Sequence, residues 1–335
     1  MSNKPLLVTR RSGSLGKRRV LITGATGLLG KALLEQPPQE VDVWGTYLPG
    51  TDFPPVSAAC PIRPMDVRDP TQIAEVFDWA QPDAVIHAAS IGSVDYAERH
   101  REETWAVNVG GTRNVCRLCL DFGARLVFIS SNAVFDGRAP FYREDAPVSP
   151  VNYYGQVKVE GEQYVQSSGV AYAIVRPILM YGWPNPRERS NWVVTWVQKL
   201  SSAMPVQVVN DVYSKPLLAL NCAEAIWAVV LRDKPDILHV AGADHLTLYD
   251  FALRTAEVFG LDAGLIEPVP SSLFSTIAQR PQDTSFDTGR MEQDLGVRPL
   301  GVVEGLVYMR EHMPSWIEKV LGLDPCCLQT GRTTK

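Results

Sequence analysis

A chain of 335 residues can form one large α/β domain or two lobes with a substantial core. Its net charge of −5 and its scattered Lys and Arg residues argue against nucleic acid as a partner, and no apolar run approaches the roughly 20 residues that span a bilayer. The N-terminal residues lack the apolar core and cleavage site of a signal peptide, so a cytoplasmic location is expected.

The first predicted elements are a strand, a glycine-rich turn and a helix. After an expected flexible lead-in over residues 1–17, Arg19–Thr23 is a short apolar run typical of a buried strand. The turn Gly24–Gly30 (GATGLLG) follows, and Lys31–Glu35 has a helical pattern. Such glycines allow a tight turn, a close approach to a pyrophosphate and helix–strand packing. The alternative, a turn that binds nothing, is disfavoured by the flanking strand and helix.

Short apolar runs then alternate with helical patterns up to about residue 180. The further predicted strands in this part are Val41–Thr46, Ile62–Met65, Ala84–His87, Leu126–Ser130 and Ala173–Arg176. This alternation predicts an α/β fold with a Rossmann-type, doubly wound parallel sheet over residues 18–178.

After Pro177 the pattern changes, and we expect a smaller mixed substrate lobe over residues 179–321, with some return to the sheet. Its predicted elements are helices near Trp192–Leu200, Ala223–Leu231 and Leu248–Phe259 and strands near Val206–Val209 and Leu238–Val240. Residues 322–335 are expected to be a mobile tail.

A tyrosine and a lysine four residues apart, Tyr154 and Lys158, follow a Ser130-Ser131 pair that ends a predicted strand. On a helix this spacing places the phenol and the ammonium on one face. A neighbouring cation is expected to favour the phenolate and lower its pKa towards neutrality, and a Ser131 hydroxyl could hold a carbonyl oxygen beside it. The spacing alone also occurs by chance on solvated helices; the upstream glycine turn favours the catalytic interpretation.

Cysteine and histidine do not indicate a metal site or a disulfide framework. The chain has six cysteines and five histidines, all dispersed apart from Cys116-Arg-Leu-Cys119 and the adjacent Cys326-Cys327. Cys116 and Cys119 fall in a helical pattern without a second ligand pair, so we interpret them as ordinary helix-face cysteines and expect no metal.

These motifs together resemble the extended short-chain dehydrogenases/reductases, and within them the dTDP-4-dehydrorhamnose reductase group. The resemblance runs from about Arg19 to Pro314 and is most specific at Ile129–Gly137, Phe141–Glu144 and Pro150–Glu162. It implies that Ser131, Tyr154 and Lys158 are catalytic, with Tyr154 as general acid. It implies cofactor contacts at Gly24, Thr26, Gly27, Leu28, Leu29, Gly30, Asp66, Val67, Ala88, Ala89, Ser90, Tyr154, Lys158 and Pro177. It implies substrate contacts at Ser131, Asn132, Asn191 and Trp192.

Some roles keep alternatives. Asn108 is at least as well explained as an amide that anchors a loop, and Asp66 could close a turn instead of contacting adenine. Where the reductase group commonly has Asp-Tyr after the active-site hydroxyl, this chain has Asn132-Ala133. Dehydratases that resemble the family carry Asp-Glu there, so dehydration is disfavoured and the exact keto substrate stays open.

The expected cofactor is NADP(H), with NAD(H) as the alternative. An acidic residue about 20 residues beyond the glycine turn would favour NAD, and Val43–Leu48 contains none. No Arg stands at that strand end for a 2′-phosphate; Lys31, Arg18 and Arg19 are the candidates.

Three functions are consistent with the resemblance. The first is NAD(P)H-dependent reduction of a nucleotide-linked 4-keto-6-deoxysugar. The second is a sugar-nucleotide 4-epimerase of the same fold. The third is non-catalytic: the group also resembles the regulatory beta subunit of methionine adenosyltransferase, which docks a partner. A homodimer through helices that include Thr112–Leu120 and Tyr154–Val165 is a further expectation.

Overall fold

The computed structural model has a parallel sheet with helices on both of its faces. It describes residues 16–50, 60–186, 188–232, 236–274 and 277–317. Nearly all of the predicted lead-in and the whole of the predicted tail (322–335) lie outside the described residues. The strands are β1 Arg18–Thr23, β2 Val41–Tyr47, β3 Ile62–Pro64, β4 Ala84–His87, β5 Arg125–Ile129, β6 Tyr172–Pro177, β7 Met180–Tyr181, β8 Val206–Val209, β9 Tyr213–Ser214, β10 Leu217–Leu218, β11 Ile237–Val240, β12 Leu246–Thr247 and β13 Ile266–Val269.

The predicted helices at Lys31–Glu35, Trp192–Leu200, Ala223–Leu231 and Leu248–Phe259 each lie within a helix of the structure. The helices are α1 Leu28–Glu35, α2 Pro70–Ala80, α3 Val94–Arg99, α4 Arg101–Trp105, α5 Gly111–Phe122, α6 Tyr153–Ser167, α7 Trp192–Ser201, α8 Ala219–Leu231, α9 Leu248–Phe259, α10 Gly289–Leu295 and α11 Val302–Glu311. Local chemistry sets their ends: Asp69 accepts the Thr71 and Gln72 amides to cap α2, and Gly123 closes α5 with a φ of 66°. A π-helical turn, Ala106–Gly110, joins α4 to α5.

The main sheet has the order β11-β6-β5-β4-β1-β2-β3 in the described residues, and every neighbouring pair is parallel. The Rossmann prediction is confirmed. Alternation along β1 shows how the layers form, since Val20 and Ile22 pack with α1 and α8 on one face while Leu21 packs with α2 and α5 on the other. Cys116 and Cys119 are free, buried thiols on α5, and burial raises the pKa of Cys116 to about 12.

The later part of the chain is divided between the sheet and a separate core. α8 and β11 return to the main sheet, β11 as its edge strand beside β6. The second core includes Tyr181, Trp196 and Phe251, whose rings meet edge to face, and it also takes residues from α11. No helix within the described ranges has the length and apolar character needed to cross a bilayer.

Candidate active site

The predicted site residues meet at one edge of the main sheet. In a parallel sheet the carboxyl ends of all strands share an edge, and here the glycine turn follows β1, Ala88–Ser90 follows β4, Ser131 follows β5 and Pro177 ends β6. β1 and β4 are neighbours, and the strand order reverses between them. That reversal opens the crevice in which doubly wound sheets bind ligands.

Each glycine of the turn meets a different environment. Gly24 has a φ of +71°, and a Cβ there would lie 2.9 Å from the Ala89 backbone. A Cβ on Gly30 would lie 2.3 Å from the Gly24 carbonyl oxygen, so strand and helix pack without space for a side chain. A Cβ on Gly27 would meet only that oxygen, at 3.5 Å, and no side chain caps α1. Open space above Gly27 and uncapped first-turn amides fit the pyrophosphate of a dinucleotide.

Asp66, the predicted adenine contact, is engaged in a local turn in the structure. The Asp66 carboxylate accepts the Arg68 amide at 2.9 Å and pairs with its guanidinium at 2.6 Å, so it closes a local turn, and the pKa of Asp66 is lowered chiefly by Arg68. Its predicted contact with adenine stays a prediction. The Val67 carbonyl accepts from Asn114 Nδ2 at 3.1 Å, and the Val67 side chain packs against Gly111.

Three basic candidates for a 2′-phosphate are not supported by their positions. Arg18 and Arg19 are wrong for this role, because they begin β1, about 16 Å of strand away from the glycine turn. Lys31 donates to the Trp183 carbonyl at 2.8 Å and pairs with Glu35 at 3.4 Å, so its ammonium already has two partners.

The catalytic candidates are brought together by the first turn of α6. Asn152 caps this helix by accepting the Gly155 amide, and a Cβ on Gly155 would lie 2.1 Å from the Ala133 carbonyl oxygen. Helix α6 therefore abuts the turn after β5 directly. As a result Tyr154 lies beside the turn that carries Ser131, and the Ser131 hydroxyl is close enough to lower the pKa of the phenol.

Lys158 lies deeper on the same helix. Its Nζ donates to the Ile129 carbonyl at 3.0 Å and lies 5.8 Å from the Tyr154 ring centroid. Burial lowers the pKa of Lys158 to about 8, and the carboxylate of Glu162 opposes that shift. The ammonium is thus present at neutral pH but is lost at moderately alkaline pH.

The expectation that the Tyr154 phenol has a lowered pKa is wrong for this structure. Desolvation raises the pKa of Tyr154, while the Ser131 hydrogen bond and the Arg189 charge lower it by less. The charge of Lys158, whose ammonium donates to the Ile129 carbonyl, does not outweigh the desolvation. A protonated phenol is nevertheless the form that a general acid requires.

Two arginines from separate segments, Arg189 and Arg280, lie close to each other, and the charge of Arg189 also reaches the phenol. Arg189 donates to the Gly92 carbonyl at 3.2 Å, and Arg280 pairs with Asp95 at 2.8 Å. Burial lowers the pKa of Arg280, Asp95 opposes the shift and Arg189 adds to it, so the two guanidinium groups influence each other. This pair of guanidinium groups can attract an anion.

The predicted substrate residues differ in how far their side chains are already engaged in contacts within the protein. Asn132 Nδ2 donates to Thr284 Oγ1 at 2.6 Å, which links the turn after β5 to the C-terminal segment. Asn191 caps α7 by accepting the Val194 amide and donates to the Gly182 carbonyl, so its amide is occupied at both ends. Trp192 is half exposed and stacks on Trp196.

Loop anchoring accounts for Asn108. Its Oδ1 accepts the Ile91 amide at 2.8 Å and the Ser90 hydroxyl at 3.1 Å, and its Nδ2 donates to the Ile91 carbonyl at 3.1 Å. It stands in the π-helical turn, which redirects this side chain towards the strand end. Ala89 donates its amide to Thr23 Oγ1 at 3.2 Å, and the Thr26 carbonyl accepts from Asn185 Nδ2.

A buried ion pair between Arg176 of β6 and Glu162 of α6 lies next to the site. Arg176 donates through Nε and Nη2 to the two oxygens of Glu162, at 2.8 and 2.6 Å. Ser130 donates to the same carboxylate, and His239 lies 3.3 Å from the guanidinium. The ion pair, Arg189 and the anchoring of Arg280 have no signature in the sequence beyond residue type, because their partners come from distant segments. Among the described residues no cluster of three metal-ligating side chains is present.

Comparison with known proteins agrees with this geometry. The profile of the family described as RmlD substrate binding domain matches residues 18–313. A dTDP-4-keto-6-deoxy-D-glucose reductase from Streptomyces niveus is 32% identical over 272 residues, covering 79% of this chain and 87% of that protein. Methionine adenosyltransferase 2 subunit beta from Bos taurus is 28% identical over 284 residues, covering 83% of each chain. The solved structure of a dTDP-4-dehydrorhamnose reductase from Bacillus anthracis in complex with NADP has a TM-score of 0.78 and 28% identity, covering 88% of this chain and 99% of that one.

Proposed function

Because the chain belongs to the RmlD substrate binding domain family, we propose that it reduces the 4-keto group of a nucleotide-linked 4-keto-6-deoxysugar with a nicotinamide cofactor. The observation that carries this proposal is that the first turns of α6 bring Tyr154 and the Lys158 ammonium against the turn that carries Ser131, next to a glycine turn with space for a pyrophosphate. The related reductase from Streptomyces niveus, named for a dTDP-4-keto-6-deoxy-D-glucose substrate, supports the same class of substrate.

In this proposal the chain's own residues handle the carbonyl oxygen and its proton. The nicotinamide cofactor, when bound, supplies the hydride that the carbonyl carbon accepts. The Ser131 hydroxyl, which donates to Asn132 Oδ1 at 3.3 Å in the structure, turns to donate to the carbonyl oxygen and positions it at the phenol. Tyr154 then transfers its proton to that oxygen as negative charge develops, which leaves a phenolate. Lys158 stabilises this phenolate by its charge, and solvent returns the proton.

The cofactor is proposed to be NADP(H), with NAD(H) as the alternative. The Bacillus anthracis reductase structure contains NADP. In this chain β2 ends without a carboxylate at Thr46 and Tyr47, so the side chains described there do not repel a 2′-phosphate. The turn amides at Leu28–Gly30 would hold the pyrophosphate, and Lys158 would contact the nicotinamide ribose.

The two neighbouring arginines support a nucleotide-linked substrate. Arg189 and Arg280 lie close enough to perturb each other, with Asp95 as the carboxylate partner of Arg280. A nucleotide diphosphate carries its charge on oxygens that guanidinium groups bind in a bidentate manner. The sugar's keto group would then extend inward to Tyr154.

A second candidate function is partner docking without catalysis. It is favoured by the similarity to methionine adenosyltransferase 2 subunit beta, which extends over 83% of each chain. Under this alternative the crevice would bind the cofactor, but no keto sugar would be turned over.

The test is NADPH and NADH oxidation with enzymatically generated dTDP-4-dehydrorhamnose, with Tyr154→Phe in parallel. We expect turnover that falls by about 10²- to 10⁴-fold in the variant, the usual contribution of a positioned proton donor. Cofactor binding without turnover, together with a stoichiometric partner in a pull-down, would favour the docking function. Tightly bound cofactor that is never consumed would instead indicate a 4-epimerase.

Two further features are part of the proposal. A homodimer through α5 and α6 is supported by half-exposed Leu120 and Trp105 beside these helices and by Arg113 stacked between Trp105 and Tyr164. Light scattering tests it, and a monomer would contradict it.

A cytoplasmic location is supported by the free thiols of the described cysteines and is tested by cell fractionation.

A further inference from the structure

A buried histidine lies at the carboxyl end of β4, directly beneath the proposed cofactor crevice. His87 is 2% exposed, and both ring nitrogens have hydroxyl partners. Its Nδ1 lies 2.8 Å from Thr23 Oγ1, and its Nε2 lies 3.2 Å from Thr112 Oγ1. The imidazole therefore bridges β1 to α5 across the end of the strand.

The neighbouring bonds fix the direction of every hydrogen bond in this bridge. Thr112 donates its single hydroxyl proton to the Asn108 carbonyl at 2.6 Å, so it can only accept from His87 Nε2. Nε2 then carries the proton, and Nδ1 accepts from the Thr23 hydroxyl, which in turn accepts the Ala89 amide at 3.2 Å. Burial and the Lys158 charge lower the pKa of His87 to about 3, so this neutral tautomer persists throughout the working pH range.

Two side chains hydrogen-bond to the short segment after β4. Thr23 accepts the Ala89 amide, and Asn108 bonds to the Ser90 hydroxyl and to both backbone groups of Ile91. His87 connects these two side chains, because it bonds to Thr23 and to Thr112, whose hydroxyl donates to the Asn108 carbonyl. The segment after β4 abuts the glycine turn, since a Cβ on Gly24 would lie 2.9 Å from the Ala89 backbone.

We propose that His87 is a positioning residue for the nicotinamide cofactor: as a neutral donor–acceptor bridge it fixes the Ala88–Ile91 segment at the spacing from the glycine turn that the cofactor requires. The ring is sealed from the crevice, so it acts through the two threonines. This inference rests on the proposed function, because it concerns the same cofactor site.

The experiment measures NADPH affinity directly, by fluorescence titration without substrate, beside melting temperature. His87→Leu removes both hydrogen bonds of the bridge. We expect the Kd for NADPH to rise by about tenfold or more, a change in binding free energy similar to the net contribution of one hydrogen bond. His87→Gln keeps one donor and one acceptor and should return the Kd to within about threefold of the wild type, since its amide can span part of the bridge.

A matched control separates positioning from general damage to the core. Thr255 is also fully buried, but its hydroxyl donates to the Phe251 carbonyl at 2.8 Å within α9, in the second core. Thr255→Val should lower the melting temperature yet leave the Kd unchanged. A folded His87→Leu protein with the wild-type Kd would overturn the inference.

Two other outcomes are also decisive. If His87→Leu does not fold, Thr112→Val removes the same bridge at one end, and a wild-type Kd in that variant overturns the inference. If the wild-type protein itself binds neither NADPH nor NADH, the proposed function fails, and this inference fails with it. That result differs from the case in which the wild type binds and the variants bind equally well.

Discussion

Replacing Gly27 by alanine should weaken cofactor binding while leaving the fold intact. Gly27 has a φ of −70° and a ψ of 170°, which any residue adopts, and the added Cβ would meet protein only at 3.5 Å. Gly30→Ala is the informative contrast, because its Cβ would lie 2.3 Å from the Gly24 oxygen and 2.6 Å from Ala25 backbone atoms. One methyl group thus enters the crevice, and the other enters the packed core.

The two substitutions change different free energies: Gly27→Ala changes the free energy of cofactor binding, and Gly30→Ala changes the free energy of unfolding. For Gly27→Ala we expect the free energy of unfolding to stay within about 1 kcal/mol, since the backbone suits alanine and the loss as a helix cap is small. Cofactor affinity should fall by about 10- to 100-fold, equivalent to one hydrogen bond to a charged phosphate. For Gly30→Ala an overpacking cost of about 3 kcal/mol corresponds to a melting temperature about 4 °C lower.

The assay pairs a thermal melt with titration of NADPH. Gly110→Ala is the control, because its Cβ would have ordinary contacts at 3.9 Å in a helical backbone; it should keep the wild-type affinity and melt no lower. Wild-type affinity in a folded Gly27→Ala protein would refute the assignment of this turn to the pyrophosphate. A melt unchanged in Gly30→Ala would refute the packing argument.

Three further predictions concern charge. Arg176→Met leaves a buried carboxylate unpaired and should cost about 3–5 kcal/mol in chemical denaturation, whereas Arg298→Met, at an exposed and solvent-screened pair, should have a much smaller effect; equal losses would contradict the role of burial. Arg189→Met or Arg280→Met should raise the KM for the nucleotide sugar about tenfold without changing the cofactor Kd, and an unchanged KM would remove both from the substrate site. The kcat/KM for the cofactor should fall as pH rises through about 8, where free Lys158 loses its ammonium; a flat profile to pH 9 would be inconsistent.

Much of the architecture follows from local sequence. Buried strands of a parallel sheet are apolar on both faces, so runs such as Val20–Ile22 and Ala84–His87 are recognisable without a partner. The position of Ser131 at the sheet edge follows as well, because it comes directly after such a run. The pairing of Tyr154 with Lys158 follows from helical spacing alone.

Other features depend on contacts between distant segments. Arg189 lies in a turn-rich stretch whose path no periodicity predicts, yet its charge reaches Tyr154. The direction of the Tyr154 pKa shift was predicted wrongly, because the sequence shows the nearby Lys158 but not the degree of burial, which dominates. The π-helical turn that carries Asn108 likewise depends on its contacts with Ile91, 17 residues earlier.

The turn after β5 limits the chemistry that this site can perform. Elimination of water from a sugar requires a second acid and base beside the tyrosine, and the two residues in that place are Asn132 and Ala133. The Asn132 amide donates to Thr284 and accepts from the Ser131 hydroxyl, and Ala133 contributes its backbone amide to Ser131 Oγ. Neither side chain can transfer a proton, so at this turn proton transfer depends on the Tyr154 phenol. One proton together with one hydride interconverts a ketone and an alcohol, and the structure therefore favours reduction over dehydration whichever keto sugar occupies the crevice.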